Sequence, residues 1–375
     1  MKIKNYLLVA LASITLIYSC SKDKTLQAPV PILSQTIPDV TVNLKQSHAF
    51  TVGTINNDTF TSEWKLDGKV VSSEANYTFT PTTSGSYVLV YTATNAAGVF
   101  TYSYKITVPV PVIGATPTSS KYISKVFEYL PAPGQHINQA SLGSPEQAQK
   151  LVGSITNSVS LGGFGGYIIF GFDHSVVNQT GNDLAIYGNP VGPPSHFAEP
   201  GIVMVSQDKN GNGLPDDEWF ELAGSEYAKA TTIKNYEITY TNPKGFTAVP
   251  WTDNQGKSGF VNNSSRSRNF YPLFAANQET LTFKGTLLPS TLSTSGLVTN
   301  NPFEWGYADS YSTGDDFKTN QYNSFDISWA VDATGKKVTL TTVDFVKVYT
   351  AQNVNASFLG EVSTDVKGAA DLNIK

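Results

Sequence analysis

Residues 85–108 read GSYVLVYTATNAAGVFTYSYKITV, and their pattern decides the fold class. Tyr87, Leu89, Tyr91 and Ala93 alternate with Val88, Val90 and Thr92, starting at Gly85 and breaking at Asn95–Gly98. Apolar residues at every second position in a Gly-bounded run describe a β-strand with one face on a core. Just upstream, TSEWKLDGKVV places a turn at Asp67-Gly68 and offers Trp64 as the plug between two sheets. Residues 31–110 therefore read as a small β-sandwich.

The N-terminal end carries an export signal. Lys2 and Lys4 precede an apolar stretch from Tyr6 to Tyr18, followed by Ile17-Tyr18-Ser19-Cys20. An apolar residue three before a cysteine, with a small residue just before it, is the pattern a lipoprotein signal peptidase reads. Residues 1–19 would be removed and Cys20 lipidated, anchoring the chain to the outer membrane with its bulk exposed at the cell surface. About 13 apolar residues are too few to span a bilayer. Residues 20–30 then form a polar tether. Cys20 is the only cysteine, so no disulfide or thiolate metal site is available and stability must come from burial. Net charge is −5, and more negative once Lys2 and Lys4 are lost. With no basic run, nucleic acid is excluded as a partner.

Downstream of the sandwich, PVPVIGATPTSS (109–120) has linker composition, with 111–120 as an extended connection. Residues 121–375 read as one large domain. SPEQAQKLV, from Ser144, is its best helix, with Ser144 as cap and Gln147 at the third helical position. Strand-like runs dominate the rest: GGYIIFGFDHSVV, DLAIYGN, GIVMVSQD, NYEITYTN, TLTFKG, SFDISWAVD, KVTLTTVDFVKVYTA and FLGEVS. Turns fill most gaps and no helices alternate with the strands. The expectation is an all-β chain: an Ig-like sandwich followed by a larger, jelly-roll-like antiparallel sandwich.

Three groups of residues bear on chemistry. In Asp208-Lys-Asn210-Gly-Asn212-Gly-Leu214-Pro-Asp216-Asp217, oxygen side chains at alternate positions followed by glycine match the first half of a calcium loop. Position twelve is Trp219 rather than a bidentate glutamate, so the alternative is a metal-free Asn/Gly hairpin turn. Second, two segments rich in Gly, Asn and Ser carry Trp251, Arg266, Arg268, Phe270 and Tyr271, and then Trp305, Tyr307 and Tyr311. Aromatics on loops at a sandwich rim make platforms for flat or sugar-like ligands, unless the loops fold back and bury them. Third, His48, His136, His174 and His196 show no paired metal spacing, and no carboxylate pair stands out among many acids. No catalytic residue is assigned, and the chain is read as a non-enzyme.

The run Gly85-x-Tyr87-x-Leu89-x-Tyr91-x-Ala93-x-Asn95, closing at Gly98, resembles the PKD-like branch of the immunoglobulin-like sandwiches, whose modules serve as spacers. The stretches at 160–189, 199–222 and 325–351 resemble bacterial cell-surface lipoproteins that pair a PKD-like module with a large sandwich domain, in Bacteroidetes-type envelopes. That resemblance, over residues 141 to 372, implies surface capture of a nutrient for a TonB-dependent outer-membrane transporter, with a corrinoid (vitamin B12-type cobamide) as the expected ligand. Residue chemistry alone leaves a glycan ligand and a purely structural or adhesive role open.

Overall fold

The computed structural model describes residues 25–54, 59–265 and 267–375. Cys20, the expected signal segment and Arg266 lie outside them. The chain forms two compact units, the first ending at Thr107 and the second comprising Val108–Lys375 together with Thr82–Gly85. In both, the regular structure is almost wholly strands. Among the described residues no helix is long and apolar enough to cross a membrane.

In the first unit a five-stranded sheet has the order Asp39–Thr41, Gly98–Val108, Gly85–Asn95, Thr61–Leu66, Lys69–Ser72. His48–Phe50 pairs with Tyr77–Phe79. Leu89, Tyr91 and Ala93 are fully buried while Val88 faces out, as the alternation requires. Trp64 is completely buried among Phe50, Tyr77, Tyr91 and Tyr104, with ring centroids 4.6–6.4 Å away. Its indole Nε1 donates to the Glu74 carbonyl at 3.1 Å, so the one polar atom buried with it is satisfied. The Asp67-Gly68 turn has positive φ at both residues (48° and 82°), which suits the twist of a two-residue hairpin. Part of the expected tether is already tied down: Asn95 Nδ2 donates to the Gln27 carbonyl at 2.7 Å.

The second unit centres on a six-stranded antiparallel sheet. Its order is Lys125–Leu130, Tyr167–Val177, Thr342–Thr350, Gly201–Ser206, Trp219–Leu222, Ala330–Val331. Side chains alternate between its faces. Val203, Val205, Val346 and Val348 join a core with Leu184, Ile186, Phe325 and Ala369 of a three-stranded sheet. Ile202 and Tyr349 point the other way, into a core with Tyr236, Tyr240 and Phe283 of a four-stranded sheet. The expected antiparallel sandwich thus gains a third layer. A strand covered on both faces carries apolar residues at consecutive positions, which is why GIVMVS and YIIF read as continuous apolar runs.

Local expectations fare unevenly. Ser144 caps the helix Pro145–Gln149, its Oγ accepting from Gln147 N at 3.1 Å. The presumed linker is not free over its whole length: Ile113 and Ser175 exchange hydrogen bonds, docking it on the Tyr167–Val177 strand. FLGEVS is not a strand. Ser357–Leu359 is a short 3-10 turn closed at Gly360 (φ 86°), and Phe358 projects into solvent. His174 is buried between Asp173 (2.7 Å) and Asp371 (2.9 Å), a structural tie between two strands rather than a metal ligand.

Candidate functional site

Several residues expected to form an aromatic rim are not on a rim. Phe270, Tyr271 and Tyr307 are core residues beneath the four-stranded sheet. Asn138 clamps the first loop inward by donating to the carbonyls of Asn269 (2.8 Å) and Tyr271 (2.9 Å). Tyr307 is fixed by a hydrogen bond to its hydroxyl from Glu226 N at 3.0 Å. Burying three large rings outweighs keeping a loop open, since each contributes on the order of 2 kcal/mol or more. Trp305 is half-buried against Trp329 (4.7 Å), and Tyr311 against Phe317 (5.3 Å). Arg268 is exposed. Burial and then the Arg268 charge hold His136 below the usual imidazole range. Trp251 keeps a half-buried place at a small cleft.

The Asp208 loop joins the paired strands Gly201–Ser206 and Trp219–Leu222, as a hairpin should. It is closed by its own hydrogen bonds. Asp208 accepts from the backbone N–H groups of Asn212 (3.0 Å) and Gly213 (2.8 Å), and Asn212 Oδ1 from Leu214 N (2.7 Å). Asp216 takes the amides of Asn210 (3.0 Å) and Asn212 (2.9 Å), and Asp217 accepts from Lys209 N (3.0 Å). One oxygen is left over: Asn210 Oδ1 is buried without a partner.

A trough of about 770 Å3 is lined by residues of the central sheet and of the paired strands Ile233–Thr241 and Thr280–Leu287 of the four-stranded sheet. Such a volume falls within the range of about 300–1,000 Å3 usual for small-molecule sites. Its base is a cross-strand row, Glu221–Met204–Lys347, set by the register of three neighbouring strands. Trp219 and Tyr227 supply aromatic surface, and the ion pair Glu237–Lys284 (2.7 Å) forms part of the opposite wall. Gly285 is required there: a Cβ would stand 2.8 Å from the Tyr349 ring, which crosses beneath it. The Tyr349 hydroxyl accepts from Thr286 N at 2.8 Å.

Glu221, Glu237 and Asp332 bring carboxylates to the trough, yet Lys234 Nζ hydrogen-bonds to none of them. Glu221 accepts from Thr286 Oγ1 at 2.6 Å and lies 3.6 Å from Lys234 Nζ, an ion-pair contact too long for a hydrogen bond. Lys234 Nζ lies 3.0 Å from the Tyr227 ring centroid and is buried with no hydrogen bond. Burial pushes Lys234 below the usual lysine range, against the pull of Glu221. The same desolvation pushes Glu221 above the usual carboxylate range. Lys347, its ammonium 3.8 Å from the Tyr167 ring centroid, is likewise lowered by burial. Two poorly compensated ammonium groups facing a cavity attract acceptor or anionic groups.

A second concavity, about 410 Å3, has an apolar mouth at Val191, Leu297 and Phe358, with Glu199 and Asp365 in its wall. These two belong to a cluster with Asp309 and Glu361 that sequence reading did not single out. Their carboxylates satisfy backbone N–H groups of irregular buried chain. Glu199 accepts from Ser363 N (2.9 Å), Glu361 from Gln135 N (2.8 Å), and Asp309 from Asn189 N and Asp365 N (both 2.8 Å). The only signal in the sequence was acids set among Gly and apolar residues, in FAEPG and LGEVSTDV.

No family model matches this chain, and no curated protein matches it. Among solved structures it is similar to a quinonprotein alcohol dehydrogenase-like protein from Bacteroides thetaiotaomicron, with 11% identity and a TM-score of 0.20 over 63% of this chain and 50% of that one. The chain thus spans half the length of that protein. It is also similar to a calcium-binding mutant of Bacteroides uniformis beta-glucuronidase 2, with 7% identity and a TM-score of 0.18 over 86% of this chain and 30% of that one. Likenesses this faint carry no argument about activity.

Proposed function

We propose that the second domain is a non-enzymatic capture module, and that its trough takes a large, polar, partly planar ligand of the corrinoid kind. The chain, anchored by lipid at Cys20, would offer that ligand to a TonB-dependent transporter. One observation carries the reading: Lys234 lines a ligand-sized cavity with its ammonium in no hydrogen bond, held only by a 3.6 Å ion-pair contact to Glu221 and by the Tyr227 ring. A ligand rimmed with amide carbonyls and a phosphate supplies acceptors, and Trp219 and Tyr227 suit its flatter faces.

A charge-assisted hydrogen bond lost at Lys234 is worth about 1.5–3 kcal/mol, or roughly ten- to hundredfold in affinity. Calorimetric titration with a cobamide is therefore expected to show saturable binding, weakened at least tenfold by Lys234→Met and by Lys347→Met. Arg268→Ala, outside the trough, leaves it unchanged. Absent cobamide binding together with glycan-array signal would replace the corrinoid by an oligosaccharide. No saturable ligand of either class would leave a structural or adhesive protein.

Calcium at Asp208, Asn210, Asn212, Leu214, Asp216 and Asp217 is proposed as structural, with the unpartnered Asn210 oxygen as its support. Calcium is expected to raise the melting midpoint and chelator to reverse the rise. An unchanged midpoint would assign the loop to its own hydrogen bonds alone.

A further inference from the structure

A smaller cleft, separate from the trough, carries its own chemistry. Trp251 and Phe260 lie on neighbouring strands of the four-stranded sheet and line a space of about 50 Å3 together with Glu361. Trp251 is held in place. Its cross-strand partner is Gly259, and a Cβ there would come within 2.5 Å of the indole, so the ring lies across bare backbone. Phe260 is 56% exposed at the cleft, whereas Glu361 is only 6% exposed.

Glu361 is half-satisfied. Its Oε1 accepts from Gln135 N at 2.8 Å, and its Oε2 has no hydrogen-bond partner. Three amides also line the cleft, Gln352, Asn353 and Asn355, and none of them supplies Oε2 with a donor. Gln352 Nε2 donates to the Pro289 carbonyl at 2.6 Å, and Asn353 Nδ2 donates to the Tyr236 hydroxyl at 3.1 Å. A buried carboxylate oxygen without a donor costs on the order of 1–3 kcal/mol or more, and a ligand that supplies the donor recovers it.

We propose that this cleft binds a small ammonium or monoalkylammonium group, with Glu361 as counter-charge and Trp251 and Phe260 as aromatic walls. Three features select that chemistry. The carboxylate and the ring faces all favour positive charge. The space holds about one or two water-sized groups, at about 30 Å3 each, which fits an ammonium bearing a methyl group and is too small for a guanidinium. A hard divalent ion needs six or more oxygens, and among the described residues Glu361 is the only acidic side chain lining this cleft. Desolvation leaves Glu361 with a pKa of about 7, so the carboxylate is ionised and ready for a cation in mildly alkaline solution.

The test uses the whole mature chain at pH 8, titrated with methylammonium chloride in buffer matched for ionic strength with sodium chloride. Binding is followed by calorimetry and by the indole N–H resonance of Trp251. Saturable binding is expected, weakened at least tenfold by Glu361→Gln and by Trp251→Leu, with near-UV circular dichroism confirming the fold of each variant. Lys234→Met leaves it unchanged, which separates this cleft from the trough. Tetramethylammonium, too bulky for the space, is expected to bind at least tenfold more weakly. The proposal is overturned by absent saturation in the parent protein, by equal binding in Glu361→Gln, or by equally tight tetramethylammonium.

Discussion

Raising the pH from 5 to 8 is expected to lower the melting midpoint of the second domain by about 6–12 °C. The source is the carboxyl cluster. Burial lifts Glu361 from its ordinary value of 4.5 to about 7, with Asp365 adding repulsion. Glu199 and Asp309 are also raised well above the usual carboxylate range, by burial first and then by charge among Glu199, Asp309, Asp365 and Glu361. Lys367 opposes the shift at Asp309, and backbone N–H groups oppose it at Glu199 and Asp309. Asp365 moves the same way. For an acid whose folded-state pKa lies above its unfolded one, the folded chain holds the proton more tightly. Stability is then greatest below about pH 4.5 and is lost as pH rises through the folded value.

For Glu361 alone the loss is on the order of 3 kcal/mol, which for a domain of this size moves the midpoint by about 2–4 °C per kcal/mol. Glu361→Gln keeps an acceptor for Gln135 N and removes the charge. It is expected to flatten the dependence and to raise the midpoint at pH 8. Melting curves at constant ionic strength check both points. A parent protein that melts higher at pH 8 than at pH 5 would show that the cluster is not strained by ionisation.

The second large effect belongs to the first domain. Trp64→Ala is expected to cost about 3–5 kcal/mol, the usual range for removing a buried aromatic. The sandwich over residues 31–110 has 80 residues and no cysteine, and total stabilities of 5–15 kcal/mol are the norm, lower for small cores. The variant is thus expected to have an unfolded or barely folded first domain, read as rapid proteolysis of that domain in the full chain. Val88→Ala, on the exposed face of the same sheet, is expected to change stability by less than about 0.5 kcal/mol. Equal resistance of Trp64→Ala and the parent to protease would refute the central place given to this ring.

Where the determinants are local, the sequence predicted the structure. The 85–95 strand, the Asp67-Gly68 turn, the Ser144 cap and the hairpin around Asp208 each depend on residues within about a dozen positions of one another. Where a residue's partner lies far along the chain, prediction failed. Phe270, Tyr271 and Tyr307 sit in segments with loop composition, yet Asn138 and Glu226 hold them inward. FLGEVS has strand-like residues, but its backbone N–H groups past Gly360 are taken partly by side chains such as Glu199 and Asp309 instead of a continuous ladder.

Periodicity by itself established that this is an all-strand chain with a tryptophan-plugged first module, because a side chain's face is set by its position along its own strand. The covering of both faces of the central sheet, the trough with its buried lysines and the meeting of four carboxylates were decided only by tertiary structure. Glu199 and Asp365 are brought together across more than 160 residues. The physical reason is that desolvation and charge depend on which distant segment packs alongside, and the local pattern of a strand carries no record of that neighbour.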